Sequence, residues 1–398
     1  MRRGGTLIAA VVASLALASC SAFSDSGDDG SFHSPSSDGS AAPGTSKPAD
    51  KAPVSVSVTG TGDILIHVPV AKNAAANARR SGQGQYDFNP MFADVKPVLS
   101  AADVSICHQE TPISSDNENL SKPGSLVYNV PREIAKGLKN AGFDGCETAS
   151  NHTWDQGLKG IASTRKVLTA AGLKVSGPTT SAQDFGEPAV YEAKGVKVAS
   201  LSYTYTILNQ AGPNKNLPPD ADYLKRYSWP IIGAAGIIAD AKKAKEAGAD
   251  VVVVSVHWGT EYEATPTQDE LSMAKELLQS PYVDGIFGAH AHLLQPCSTI
   301  NGKTVFFGLG NFLSNQGKGQ AGTLSDKNAD GVIAKLTFTR DAEGKWTQKA
   351  TYQPTMVDIP DKHVIRLSSQ STNPASFKRT QTTLNKLGNC AATPADGG

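Results

Sequence analysis

Two imidazoles stand two residues apart in Gly288-Ala289-His290-Ala291-His292, just past an apolar run at 283–287. On an extended or turning backbone such a pair can be steered toward one point, and neutral imidazole is the commonest protein ligand for borderline divalent metals. A lone pair is equally a loop or core feature, so its meaning depends on what other strand ends carry. Asp63 follows the apolar alternation of 54–58, and Glu110 follows a strand pattern at 103–106. Asn151 and His152 follow 146–149, and His257 ends the apolar run 251–256. Together Asp63, Glu110, Asn151, His257, His290 and His292 offer two carboxylates, an amide oxygen and three imidazoles, a mixed donor set that hard-to-borderline divalent ions accept. The same groups could instead form a hydrogen-bonded polar rim with no ion.

The elements that must position them alternate. β-rich runs at 54–58, 103–106, 146–149, 196–202, 251–257 and 285–287 are separated by helical patterns at 89–99, 131–141, 159–171, 233–247 and 268–278. Such repeats imply crossover connections and a largely parallel sheet covered on both faces, with ligands outside the carboxyl ends of the strands. Gly142, Gly172 and Gly248 each stand just past an Ala- and Lys-rich helix, the usual stop signal. Strands are also expected at 303–309 and 332–339. Apolar periodicity is lost after Ile365, so 53–365 is read as the folded domain and 366–398 as a weakly ordered tail.

The 398 residues carry a formal net charge of +0, so no basic excess points to nucleic acid. Arg2 and Arg3 precede an apolar stretch at 7–17 too short to span a bilayer, and Leu17-Ala18-Ser19-Cys20 resembles a bacterial lipobox. Residues 1–19 are therefore expected to be a lipoprotein signal peptide, with Cys20 lipidated and the mature chain anchored on the extracellular face of the cell membrane. An ordinary secretory signal cleaved nearby is the alternative. Residues 20–52 are rich in Ser, Gly, Asp, Ala and Pro and cannot bury enough to offset ordering, so they read as a disordered tether, with His33 a solvated bystander. In an exported chain the remaining cysteines should be oxidised. If the strands that end at Cys107 and contain Cys146 are neighbours, those two pair, and Cys390 then ties the tail to Cys297.

Several collinear blocks carry a resemblance. They are Gly62-Asp63-Ile64-Leu65, Gln109-Glu110-Thr111-Pro112, Ala149-Ser150-Asn151-His152-Thr153-Trp154-Asp155, His257-Trp258-Gly259-Thr260-Glu261-Tyr262, Gly288-Ala289-His290-Ala291-His292 and Gly308-Leu309-Gly310-Asn311-Phe312. Their order resembles the calcineurin-like metallophosphatases, and within them the CapA (PgsA) family of poly-γ-glutamate capsule synthesis proteins. The resemblance implies an α/β calcineurin-like metallophosphatase fold of layered β-sheets flanked by helices. It implies that Asp63, Glu110, Asn151, His257, His290 and His292 hold one or two divalent ions of manganese, zinc or iron, with Glu110 between them. His152 matches the histidine that faces substrate and can donate a proton to a leaving oxygen. Asp155 and Glu261 could accept hydrogen bonds from ligand imidazoles.

Two departures stand out. Leu65 occupies the position of a metal-binding histidine, which His67 could replace only if the strand has already ended. His108 replaces an asparagine usual in the family and is expected to contact substrate or to be a satisfied non-ligand histidine, whereas His363 is isolated and reads as structural or exposed. The resemblance implies a cell-surface lipoprotein of poly-γ-glutamate or related anionic polymer biosynthesis or export, beside a membrane-bound polymer synthase or exporter. A metal-dependent phosphoesterase or γ-glutamyl hydrolase, and a non-catalytic polymer-binding lipoprotein, are the alternatives.

Overall fold

The computed structural model describes residues 53–184, 186–209, 216–320 and 324–395. The signal sequence, Cys20 and the whole of the tether lie outside these residues. In chain order the elements are β1 (Val54–Ile64), α1 (Val68–Ser81), α2 (Lys96–Ser100), β2 (Val104–Gln109), α3 (Glu133–Ala141), β3 (Gly145–Glu147), α4 (Gly157–Ala170) and β4 (Lys174–Ser176). Then come β5 (Ala189–Ala193), β6 (Val196–Thr204), α5 (Trp229–Glu246), β7 (Val251–His257), α6 (Gln268–Gln279), β8 (Gly285–Ala289), β9 (Cys297–Ile300) and β10 (Lys303–Phe306). The chain continues with β11 (Asn311–Leu313), β12 (Asp330–Arg340), β13 (Trp346–Asp358), β14 (Val364–Leu367), α7 (Pro374–Leu384) and β15 (Thr393–Pro394).

The alternation does not build one largely parallel sheet. It builds two mixed sheets. One runs β14-β13-β12-β1-β2-β3-β4, with β11 on β1 and β15 on β13; the other runs β5-β6-β7-β8-β10-β9. Each has a parallel centre, β1 to β4 in the first and β6, β7, β8 and β10 in the second, and antiparallel strands outside it. The sheets face each other through Val56, Val58, Val104 and Ile106 on one side and Val198, Val251, Val253 and Phe287 on the other. Helices α1 to α4 cover the outer face of the first sheet through Val70, Leu99, Leu138 and Leu168. Helices α5 and α6 cover the second through Ile237, Ala241, Ala274 and Leu277. Layered sheets flanked by helices are thus present, and the all-valine run of β7 is buried throughout because it meets apolar neighbours on both faces.

Gly142, Gly172 and Gly248 take the left-handed conformation, with φ of 107°, 82° and 96°, and stop their helices as expected. The helix expected over 89–99 is broken. A 3-10 turn at Asn89–Phe92 and the short α2 stand there instead, each opened by a proline in its first turn. Helix α1 was not anticipated; its Ala- and Asn-rich stretch buries only Val70, Ala74, Asn77 and Ala78, too faint an apolar stripe to read.

The larger correction concerns residues 366–398, which are not a weak tail as far as they are described. Helix α7 buries Phe377 and Leu384, while Ser376 Oγ donates to Asp330 Oδ1 at 2.7 Å and Arg379 Nε meets Asp330 Oδ2 at 2.6 Å. Strand β15 pairs with β13. Both expected disulfides are present, Cys107–Cys146 joining the neighbouring strands β2 and β3 with Cα atoms 4.4 Å apart, and Cys297–Cys390 with Cα atoms 5.3 Å apart.

Candidate metal centre

The carboxyl ends of β1, β2, β3, β7 and β8, drawn from both sheets, bring the candidate ligands together. Asp63 sits where the register of β1 shifts, held against β11 by Asp63 N donating to Gly310 O at 2.9 Å. The preceding Gly62 must be glycine, because a Cβ there would stand 2.0 Å from Gly310 O. Beyond β8, His290 and His292 both adopt positive φ, 98° and 51°. Such strain costs about 1–3 kcal/mol per residue and persists where the surroundings over-determine it, often at functional sites. Here it turns both imidazoles back over the strand end.

His292 Nδ1 lies 2.9 Å from Asp63 Oδ2, and its Nε2 lies 3.7 Å from Glu110 Oε1. The His290 backbone N–H donates to Asp63 Oδ1 at 3.3 Å. His257 Nε2 is 3.0 Å from Asn151 Oδ1 and 4.0 Å from Glu110 Oε1. Asn151 is oriented from behind, its Nδ2 donating to Asn209 Oδ1 at 3.1 Å. The His290 ring lies 4.6 Å from that of His257. Donor atoms of Asp63, Glu110 and His292 fall within 4.8 Å of one another, as do those of Asp63, His108 and His257. All six expected ligands are brought together, each buried.

Both oxygens of Glu110, and Nδ1 of His290, are buried without a hydrogen-bond partner. A carboxylate taken out of water with no compensating donor costs several kcal/mol, and a cation is the usual remedy. The residues therefore fit a divalent ion better than they fit a self-satisfied polar rim.

Burial pushes the Asp63 carboxyl up, but the hydrogen bond and charge of His292 overcome it and leave Asp63 below its ordinary value. Burial alone would lower His292, yet the adjacent carboxylates raise it to about 9. Glu110 is driven well above its ordinary value by burial. Asp63, hydrogen-bonded to His292, is the charged partner; Glu110, with no donor, is the neutral one. Burial first, and then the charge of neighbouring imidazoles, depresses His257 far below 6.5 and His290 to about 3, so both stay neutral.

The remaining candidates separate. His152 Nδ1 lies 2.8 Å from Asp155 Oδ2, which also accepts from Tyr128 N at 2.6 Å, and the Tyr128 ring stands edge-on to His152 at 4.7 Å. Asp155 thus orients the proton-donor candidate and not a ligand. Glu261 is exposed and accepts no hydrogen bond from an imidazole among the described residues. Its charge nevertheless reaches the site, helping to raise both His292 and Glu110. His108 is 1% exposed and bonded to His257, which fits the second of its two expected roles, a non-ligand histidine, better than contact with substrate, although its Nδ1 is buried without a partner. His67 Nδ1 accepts from Asn315 N at 3.2 Å, and the ring belongs to neither ligand group; it does not replace Leu65. His363 is buried between Asn73 and Asn315, a structural role.

Sequence reasoning missed Tyr205, one residue past β6, whose ring stands 4.6 Å from His290. β6 is parallel to β7 with Thr204 opposite His257, so the strand-end rule that found His257 also points to it.

A family model described as "Bacterial capsule synthesis protein PGA_cap" matches residues 57–316, which hold every one of these ligands. The chain belongs to the bacterial capsule synthesis protein PGA_cap family. Relatives of this PGA_cap chain include "Capsule biosynthesis protein CapA" of Bacillus anthracis, 30% identical over 239 residues, 58% of this chain and 56% of that protein. Another is "PGA biosynthesis protein CapA" of Bacillus subtilis (strain 168), 26% identical over 291 residues, 71% of this chain and 72% of that protein. The match thus spans little more than half the length of the first relative. Among solved structures, a novel phosphatase from Mycoplasma pneumoniae superposes with a TM-score of 0.40 at 16% identity, covering 76% of this chain and 94% of its own. The calcineurin-like phosphoesterase YfkN from Bacillus subtilis gives 0.39 at 14%, covering 82% and 98%.

Proposed function

We propose that this PGA_cap protein is a divalent-metal protein that works in the production or export of poly-γ-glutamate or a related anionic polymer, at the extracellular face of the cell membrane. Cys20 would supply the lipid anchor, and a membrane-bound synthase or exporter would be its partner. The observation that carries the metal part is Glu110, buried with both oxygens unpartnered between the Asp63–His292 pair and the His257–Asn151 pair. Asp63, Glu110 and His292 would hold one ion, with Asn151, His257 and His290 available to a second across Glu110; manganese, zinc and iron all accept such donors. The polymer part rests on family membership and on the names of the relatives.

A hydrolytic role is the second reading, favoured by the His152–Asp155 pair at 2.8 Å. An ion in this site would supply Lewis-acid polarisation of a phosphoryl or carbonyl oxygen. With Nδ1 held by Asp155, His152 presents Nε2 to a leaving oxygen or nitrogen as proton donor. The test is replacement of the chromosomal gene by Asp63→Ala and by His152→Ala. Loss of surface polymer in Asp63→Ala with retention in His152→Ala supports a metal-dependent assembly role; loss in both, with phosphodiesterase or γ-glutamyl hydrolase turnover in vitro, supports hydrolysis. Unchanged polymer in Asp63→Ala overturns the proposal.

A further inference from the structure

Resting on the metal-site reading above, we propose that His108 is a positioning residue that fixes the tautomer of His257 and so aims its Nε2 at the ion. A neutral imidazole offers one lone pair; if Nε2 coordinates, the proton sits on Nδ1 and needs an acceptor. His257 Nε2 faces Asn151 Oδ1 at 3.0 Å and Glu110 Oε1 at 4.0 Å. Its Nδ1 lies 3.0 Å from His108 Nε2. The two rings are 5.0 Å apart and inclined by 23°, the nearly coplanar, edge-to-edge arrangement of an N–H···N hydrogen bond.

Direct ligation by His108 is the competing geometry, since its Nε2 also stands 3.8 Å from Asp63 Oδ1. That arrangement would take the lone pair of His257 to Nδ1 and turn it away from Asn151 and Glu110. Asn151 is already oriented toward Nε2 by Asn209, and Glu110 is the group that lacks a partner. The Nε2 side therefore holds the ion. His108 is suited to the task because it is fixed from both flanks: it lies opposite Asp63 on β1 and opposite Glu147 on β3, one residue past the Cys107–Cys146 crosslink. A neutral acceptor also orients His257 without adding negative charge beside the ion.

The experiment compares Mn²⁺ affinity of the folded full-length protein with that of His108→Phe, which keeps the ring volume and removes the acceptor, and His108→Gln, whose amide oxygen can accept from Nδ1–H. Expected is a loss of about 10–100-fold for His108→Phe and recovery to within a few-fold of wild type for His108→Gln. The visible spectrum of Co²⁺-loaded protein should keep its shape in His108→Gln. Wild-type affinity in His108→Phe, equal failure of both folded variants, or a fall in the number of nitrogen ligands to Co²⁺ in His108→Gln would each overturn the assignment while leaving the metal site intact. Absence of Mn²⁺ and Co²⁺ binding by the wild type would overturn the metal-site reading itself.

Discussion

His292 Nδ1 stands 2.9 Å from Asp63 Oδ2 with both side chains sealed from solvent. Without an ion this is a buried ion pair, and the imidazole holds its proton up to about pH 9. Coordination requires the neutral ring, so an entering cation must expel that proton, and Glu110, also held protonated, must release another.

Metal affinity should accordingly rise as pH increases from 6.5 toward 9, by up to about tenfold per unit for each proton displaced. Adding Mn²⁺ to weakly buffered metal-free protein at pH 7.5 should acidify the solution. A pH-indicator titration that detects no released proton would remove His292 from the ligand set.

Glu110→Gln should remove ion binding while leaving the metal-free fold about as stable as wild type, because a neutral amide replaces a neutral carboxyl. Saturating Mn²⁺ should stabilise the wild type by about 2.7 kcal/mol at a hundredfold excess over Kd, and the variant not at all. Thermal melts with and without Mn²⁺ decide this; an equal shift in both proteins contradicts it.

Glu147 is buried between the sheets, accepting from Ser200 Oγ at 3.0 Å, and burial raises its carboxyl to about 8. A raised folded-state pKa means a contribution that is complete below pH 4.5 and is lost as pH climbs through 8. The loss has a slope of up to about 1.4 kcal/mol per unit. Glu147→Gln should flatten urea-derived stability across that window. An unchanged slope would show that Glu147 ionises without penalty.

Helix α7 and the Cys297–Cys390 crosslink make the C-terminal segment part of the core. Cys390→Ala should cost about 2–5 kcal/mol in urea unfolding. Truncation after Ile365 should prevent cooperative folding, since it uncovers the apolar surface under Phe377 and Leu384 and unpairs the buried Asp330 from Arg379. A truncated protein with a wild-type transition would return the segment to the status of a tail.

The strand ends were legible because parallel strands carry their functional residues at or just past their carboxyl ends, and Asp63, Asn151, His257 and His290 all obey that rule. The split into two sheets was not. A fully buried valine run reads the same whether a helix or another sheet covers it, and only the antiparallel outer strands β12 to β14, set by long-range pairing, reveal the difference. Helix α7 escaped notice because half of its buried stripe, Ser376 and Thr380 beside Phe377 and Leu384, is polar, and its burial depends on Asp330 and the disulfide rather than on apolar periodicity. The choice between the two roles read for His108 was not legible for a related reason: spacing places a residue near a site, but its contact with His257 comes from the partner sheet.

Leu65 carries an implication for how this site can be altered. It is 2% exposed and packs with Ile64, Val70, Phe312 and Leu313 in the apolar cluster on the helix side of the first sheet. A histidine placed there would have to leave water for a pocket lined by aliphatic and aromatic carbon. Ligand strength at this end of the site therefore rests on the donors that the other strands supply.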